Sequence, residues 1–324
     1  MNIQNAQFRR MRKRNNLREL IAENHVYLED LCHPVFIRND IASSKEVENM
    51  PGIYYYSTDA AIEEIKSVKD MGVQHFVIRP RPTADIVNNI DAAISFEAKV
   101  IEKVRKACPD VTLLIDGYFG MAKTSGYYGT VDDSGKVDLD ASLKELADHA
   151  VAQANAGADV IVSLGRLDNS VSTIRKALDK NGLSDVSILA YAANFASTLA
   201  HAMLDGTSMA DNYIRQSYES KIGVGNVHEA LRQVECEIAE GADILGVKPA
   251  TIFLDVIAEI KRRYDMPIAT YIVSKEYVMV KGAAMQGWIN ERDTVMEYML
   301  SMKRAGASKI FNYWVKDIVK WINE

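Results

Sequence analysis

A lysine at the end of an apolar run is the residue that first invites a chemical reading. Lys248 lies in Gly241-Ala-Asp-Ile-Leu-Gly-Val-Lys-Pro-Ala-Thr-Ile-Phe-Leu-Asp255. The run Ile244 to Val247 is entered from a glycine turn and followed by a helical pattern, which reads as a buried parallel strand. Pro249 disfavours helix at Lys248 and helps to end the strand there. An amine at the carboxyl end of a barrel strand is well placed to form an imine with a ketone. The plainer alternative is a strand-end lysine whose stem is buried and whose ammonium reaches water.

Further polar residues close other apolar runs. They are Arg79 and Arg81, Asp116, Ser163 with Arg166 and Asp168, Tyr191 with Asn194, Ser274 with Lys275, and Tyr313. As a set they are cationic and hydroxyl-rich, which suits a small carboxylated carbonyl compound. Any one of them could be an ordinary loop residue. The convergence of several on one end of a fold is what carries weight.

The elements that must position them follow a rhythm. Strand candidates are 33–38, 75–79, 111–116, 160–164, 187–191, 244–247, 267–273 and 309–314. Amphipathic helical patterns occupy 60–71, 93–108, 143–156, 171–179, 227–240, 253–264 and 294–305. Three helix-to-strand joints share one device: Ala156-Gly-Ala-Asp, Glu240-Gly-Ala-Asp and Ala305-Gly-Ala-Ser. The glycine supplies the left-handed residue that ends a helix. Strand and helix alternating in this way predict an α/β fold of the (β/α)8 TIM-barrel type. An open doubly wound sheet should carry a glycine-rich phosphate turn after its first strand, and none is present.

Composition excludes several classes of function. The 324 residues carry 48% hydrophobic and 25% charged residues and a net charge of −6. That balance implies no general attraction to nucleic acid or to an acidic membrane. No apolar run is long enough to span a bilayer. Cys32, Cys108 and Cys236 are scattered and odd in number, which points to a reducing, cytoplasmic setting and away from a structural zinc site. Residues 1–30 are polar, with Arg9, Arg10, Arg12, Lys13 and Arg14 clustered. This segment reads either as a solvated arm or as an arm reaching over a neighbouring subunit.

Several stretches together resemble the 5-aminolevulinate dehydratase (porphobilinogen synthase) family over almost the whole chain. They are EVENMPGI (46–53), STIRKALD (172–179), NFAS (194–197), GVKPATIFLD (246–255), YIVSKEYVMVKGAA (271–284) and AGASKIFNY (305–313). The resemblance implies an N-terminal arm over residues 1–30 that contacts a partner subunit, and a catalytic TIM barrel over residues 31–324. It also implies a homodimer or larger homo-oligomer. In the family, two lysines each form a Schiff base with one 5-aminolevulinate, and the pair condenses to a pyrrole. The VKP lysine matches Lys248. The serine and tyrosine that grip the carboxylate of its substrate match Ser274 and Tyr313.

The other half of the family site is altered. The second Schiff-base lysine is replaced by Asn194, whose amide lone pair is delocalised and cannot attack a ketone. One lid arginine is Leu204, another is retained as Arg215, and a lid glutamine becomes Glu219. The metal segment keeps its aspartate, Asp116, but the positions of the three zinc cysteines read Tyr118, Gly120 and Tyr128. The expectation is therefore no catalytic zinc and no other cofactor. Arg79, Arg81, Arg166 and Lys275 are unusual for the family, and a decaying copy would lose charge at its mouth rather than gain it.

One lysine can still make an imine, and proton loss from that imine yields an enamine, a carbon nucleophile. At a reference pKa of about 10.4, less than about a thousandth of the amine would be neutral at pH 7. With no second lysine to repel it, desolvation or a cation such as Lys275 or Arg166 must do that work. Proton transfer has Asp116, Tyr191 or Asp168 available. Ser274, Tyr313 or Arg215 would fix the substrate carboxylate, with Ser163, Asp168, Asn194, Arg166, Lys275 and Arg79 around it. Three readings follow. The first is a repurposed Schiff-base lyase acting on 5-aminolevulinate or a related γ-keto acid without metal. The second is ordinary porphobilinogen formation. The third is a non-catalytic barrel.

Overall fold

The computed structural model describes residues 7–117, 129–165, 167–200 and 221–324. Eight parallel strands close on themselves: β1 (Leu31–Ile37), β4 (His75–Pro80), β5 (Thr112–Ile115), β6 (Val160–Ser163), β7 (Ser187–Asn194), β8 (Ile244–Lys248), β9 (Ile268–Tyr271) and β10 (Lys309–Phe311). Closure is made by the parallel pairing of β10 with β1, in which Leu31 faces Ile310 and Cys32 faces Phe311. The expected TIM barrel is thus the fold. Two short strands, β2 (Ser44–Glu46) and β3 (Tyr54–Tyr56), form an antiparallel hairpin that lies against β1.

The strands are buried along their length because helices cover the outside and packed side chains fill the inside. Val77, Ile78, Leu113, Ile115, Ile188, Leu189, Leu245 and Ile268 are all fully or almost fully excluded from solvent. The helices that cover them end as their glycines require. Gly241 and Gly306 take left-handed backbone at φ 105° and 117° after helices Val227–Glu240 and Glu291–Ala305. Ser57, Asn89 and Asp138 cap helix starts by accepting the amides of Ala60, Ala92 and Ala141, which satisfies donors left over by the first turn.

Three features depart from the periodicity. Helix Ser274–Met285 follows β9 where only strand-end residues were expected; its apolar residues are spread around the axis and leave no clear stripe. Helix Val315–Asn323 closes the chain, so the last strand stops at Phe311 rather than Trp314. Strand β7 runs on to Asn194 and shifts register between Ala190 and Ala193. Tyr191 therefore sits inside the barrel wall rather than at its rim, a correction to the strand-end position expected for it.

The segment before the barrel has little internal support. The turn Phe8–Arg12 and the helix Asn15–Leu20 bury no residue. Phe8, Met11, Leu20 and Ile21 are exposed. Among the described residues, no helix is long and apolar enough to cross a membrane.

Candidate active site

Lys248 ends β8, and the peptide bond to Pro249 is cis. Its ammonium lies over the ring of Tyr191, 3.9 Å from the centroid. A cation on an aromatic face is held by the ring quadrupole. The ring reaches this place because β8 carries a glycine opposite it. A Cβ on Gly246 would come within 2.5 Å of the Tyr191 ring. Lys248 is half-buried at the carboxyl end of its strand.

Asn194 is the register partner of Lys248 on the adjacent strand. A lysine there would stand side by side with Lys248, and this position holds an amide instead. Asn194 is buried, and its Nδ2 donates to the carbonyl of Leu164 at 2.9 Å. Its Oδ1 is buried with no partner among the described residues, leaving an acceptor in the pocket wall.

The centre of the barrel holds an ion pair joined to a hydroxyl chain. Arg79 on β4 meets Asp116, just past β5, with 3.0 Å between Nη2 and Oδ2. Its Nη1 donates to the Tyr271 hydroxyl on β9 at 3.0 Å. The Tyr271 and Tyr313 hydroxyls are 3.1 Å apart. The guanidinium also lies over the rings of Phe36 and Tyr271, at 5.6 and 5.4 Å. Burial works against its charge, yet Asp116 and the tyrosines around it hold the guanidinium above the ordinary arginine range. Burial pushes the Tyr191 hydroxyl well up, and Asp116 and Tyr271 push it further while Arg79 opposes them. Tyr191 is therefore neutral at ordinary pH and can serve as a proton donor. Its hydroxyl oxygen has no partner among the described residues.

The remaining expected residues are more scattered. Ser274 is buried at the first position of its helix. Lys275 donates to the Thr198 carbonyl at 3.0 Å, so it ties down the segment after β7. The Ser163 hydroxyl is 3.0 Å from the Ser170 hydroxyl. Asp168 is exposed in the turn before helix Ser170–Lys180. Arg166, Leu204, Arg215, Glu219, Tyr118, Gly120 and Tyr128 lie outside the described residues.

Two contributors were missed. Tyr271 stands three residues before Ser274, at the end of a strand, and that position was its only signal. Glu276 is the other. Its Oε2 accepts the Val273 amide at 2.7 Å and its Oε1 accepts the Thr251 amide at 2.8 Å, with the Thr251 hydroxyl beside it. One buried carboxylate thus joins the turn after Lys248 to the turn before Ser274. The spacing Val273-x-x-Glu276 is that of a helix-start signature, which was its available signal.

A model of delta-aminolevulinic acid dehydratase matches residues 5–321. The chain belongs to the delta-aminolevulinic acid dehydratase family. Relatives of that name from Synechocystis and Synechococcus elongatus are 38% and 39% identical. The alignments cover 98% and 97% of this chain and 98% of each relative. The crystal structure of the Toxoplasma gondii enzyme with its reaction product porphobilinogen superposes with a TM-score of 0.87 at 32% identity. That superposition covers 98% of this chain and 91% of the other.

Family members take zinc or magnesium, and the donor set here suits neither well. Asp116, the one aspartate retained from the family's metal segment, is engaged with a guanidinium, and a cation already held there repels a dication. The cysteine positions of that segment carry tyrosine and glycine side chains. Among the described residues, no group of three His, Cys, Asp or Glu side chains is arranged to hold a metal.

Proposed function

We propose that this chain is a porphobilinogen synthase-like lyase that forms one Schiff base, through Lys248, with 5-aminolevulinate or a related γ-keto acid. The observation that carries the reading is the pairing of Lys248 with Asn194 across β7 and β8. The site keeps one amine in the barrel mouth and puts a side chain that cannot attack a ketone where the other would stand. The Lys248 nitrogen adds to the ketone and water leaves, giving the imine. Loss of an α-proton then gives the enamine, whose carbon can join a second carbonyl. Tyr191, whose ring lies beneath the amine, is available to carry a proton, and Asp116 is paired with Arg79. Ser274 and Tyr313 receive the substrate carboxylate. Condensation, cyclisation and dehydration then proceed without metal, outside ordinary haem synthesis.

A second reading, ordinary porphobilinogen formation, is favoured by full-length identity of 38% and 39% to relatives named for that dehydratase. The chain would then manage with one imine. Incubation with 5-aminolevulinate and borohydride, followed by intact mass, tests the shared core of both. An adduct lost in Lys248→Ala supports it, and the absence of any adduct would favour a non-catalytic barrel. Ehrlich's reagent together with the mass of the coloured product separates the first two, since ordinary synthesis gives a pyrrole with the mass of porphobilinogen. The exposed, unsupported arm supports assembly into a homodimer or larger homo-oligomer, which sedimentation of the chain with and without residues 1–30 tests.

A further inference from the structure

We propose that Arg79 is a positioning residue for the substrate carboxylate, acting through Tyr271 to aim the Tyr313 hydroxyl at a γ-keto acid held on Lys248. The inference rests on the imine reading above and adds a residue to it that belongs to none of the resembling stretches. Arg79 itself is engaged at both ends of its fork, by Asp116 at 3.0 Å and by the Tyr271 hydroxyl at 3.0 Å. It is only 9% exposed. Its charge therefore reaches a ligand through the hydroxyls it touches.

The direction of that chain follows from counting protons. A tyrosine hydroxyl has one proton to give and can accept. Arginine can only donate, so Tyr271 accepts from Arg79. The proton of Tyr271 then needs an acceptor, and among the described residues the Tyr313 hydroxyl, at 3.1 Å, is the one in reach. Tyr313 accepts there, and its own proton points elsewhere. Among the described residues no acceptor is recorded for that proton, and on the imine reading it is free to meet the substrate carboxylate. A guanidinium at the head of the chain polarises each O–H in turn and makes the last a stronger donor. The Tyr313 ring is fixed for this task by stacking on Phe36, with centroids 6.2 Å apart and planes 12° from parallel. Pairing with the buried Asp116 accounts for the charge of Arg79, and its second donor, turned onto Tyr271, is what the relay adds.

The test uses levulinate, a γ-keto acid that cannot condense with itself through an amine, and methyl levulinate, which lacks the carboxylate. Borohydride-trapped adduct is measured against concentration by intact mass for the wild type, Tyr271→Phe and Arg79→Met. Tyr271→Phe leaves the Arg79–Asp116 pair in place, so it reads the chain even if Arg79→Met fails to fold. Both variants keep Tyr313 but remove what aims and polarises its hydroxyl, and a misdirected hydrogen bond to a charged carboxylate is expected to raise the half-saturating levulinate concentration by up to about tenfold. Methyl levulinate should stay within about twofold, since the lost interaction is with the carboxylate alone. Arg79→Lys should recover part of the levulinate effect. An equal rise for acid and ester, or no rise for the acid, would overturn the relay while leaving the imine intact. A wild type that traps neither compound would overturn the imine reading and the relay with it.

Discussion

Restoring a second amine beside Lys248 offers the sharpest test of how this site works. Asn194 and Lys248 are register partners on adjacent parallel strands, and neighbouring strands run about 5 Å apart. An Asn194→Lys variant would place two ammonium groups between about 5 and 8 Å apart, depending on how the side chains splay. At an effective dielectric of about 20, two unit charges at those distances repel by about 2 to 3 kcal/mol. At 1.36 kcal/mol per pH unit, that is a fall of about 1.5 to 2 units in the pH at which the Lys248 amine becomes neutral. The sign is fixed, because a like charge always disfavours the charged form. The assay is the initial rate of borohydride-trapped levulinate adduct at residue 248, located by peptide mapping, between pH 6 and pH 10. The profile should move to lower pH by that amount, and the rate at pH 7 should rise by a factor of about 30 to 100. Asn194 is 1% exposed, so some stability will be lost, and a melting curve checks that the variant remains folded. An unchanged or upward-moving profile in a folded variant would show that the pair does not communicate, and the argument from the missing lysine would fail.

Other outcomes follow from the same structure. Lys248→Ala should abolish trapping while keeping the fold, checked by intact mass and circular dichroism. Glu276→Gln puts an amide N–H against the Val273 N–H, so one buried donor is left unsatisfied at a cost of about 1–3 kcal/mol. The variant should melt lower and lose turnover, because the turns carrying Lys248 and Ser274 lose their tie. Burial raises the Glu237 carboxyl to about 7, against the Gln233 hydrogen bond. The folded state thus holds this proton more tightly than the unfolded state does. Its contribution is fully present below about pH 4.5 and is lost as pH rises through 7, at a cost of about 3 kcal/mol above that. Glu237→Gln should therefore stabilise the protein at pH 8 and change little at pH 4, measured by urea denaturation at both.

Much of this was legible in the chain. The eight strands were marked by short apolar runs, because a parallel barrel buries both faces of each strand. Lys248 stood out because a charge ends one of those runs, and Asn194 because its neighbours Phe-Ala-Ser fix the position it occupies. The glycines at the helix ends were readable since few other residues take that backbone.

What the chain alone left undecided is the depth and direction of each side chain. Arg79 could be seen at a strand end, but Asp116 lies 37 positions away, just past the neighbouring strand β5, and Tyr271 lies far beyond it on β9, which is not a neighbour of β4. Only closure of the barrel brings one guanidinium onto both. The register shift in β7 moved Tyr191 from the rim to beneath the amine, and no local pattern announces a bulge. Glu276 reads as a helix-start residue in sequence and becomes a tie between two turns only when β8 and β9 lie side by side. Residue type and spacing settled which groups were present, since burial pattern and backbone preference are local properties. Which groups touch depends on strand register and barrel closure, which are properties of the whole sheet.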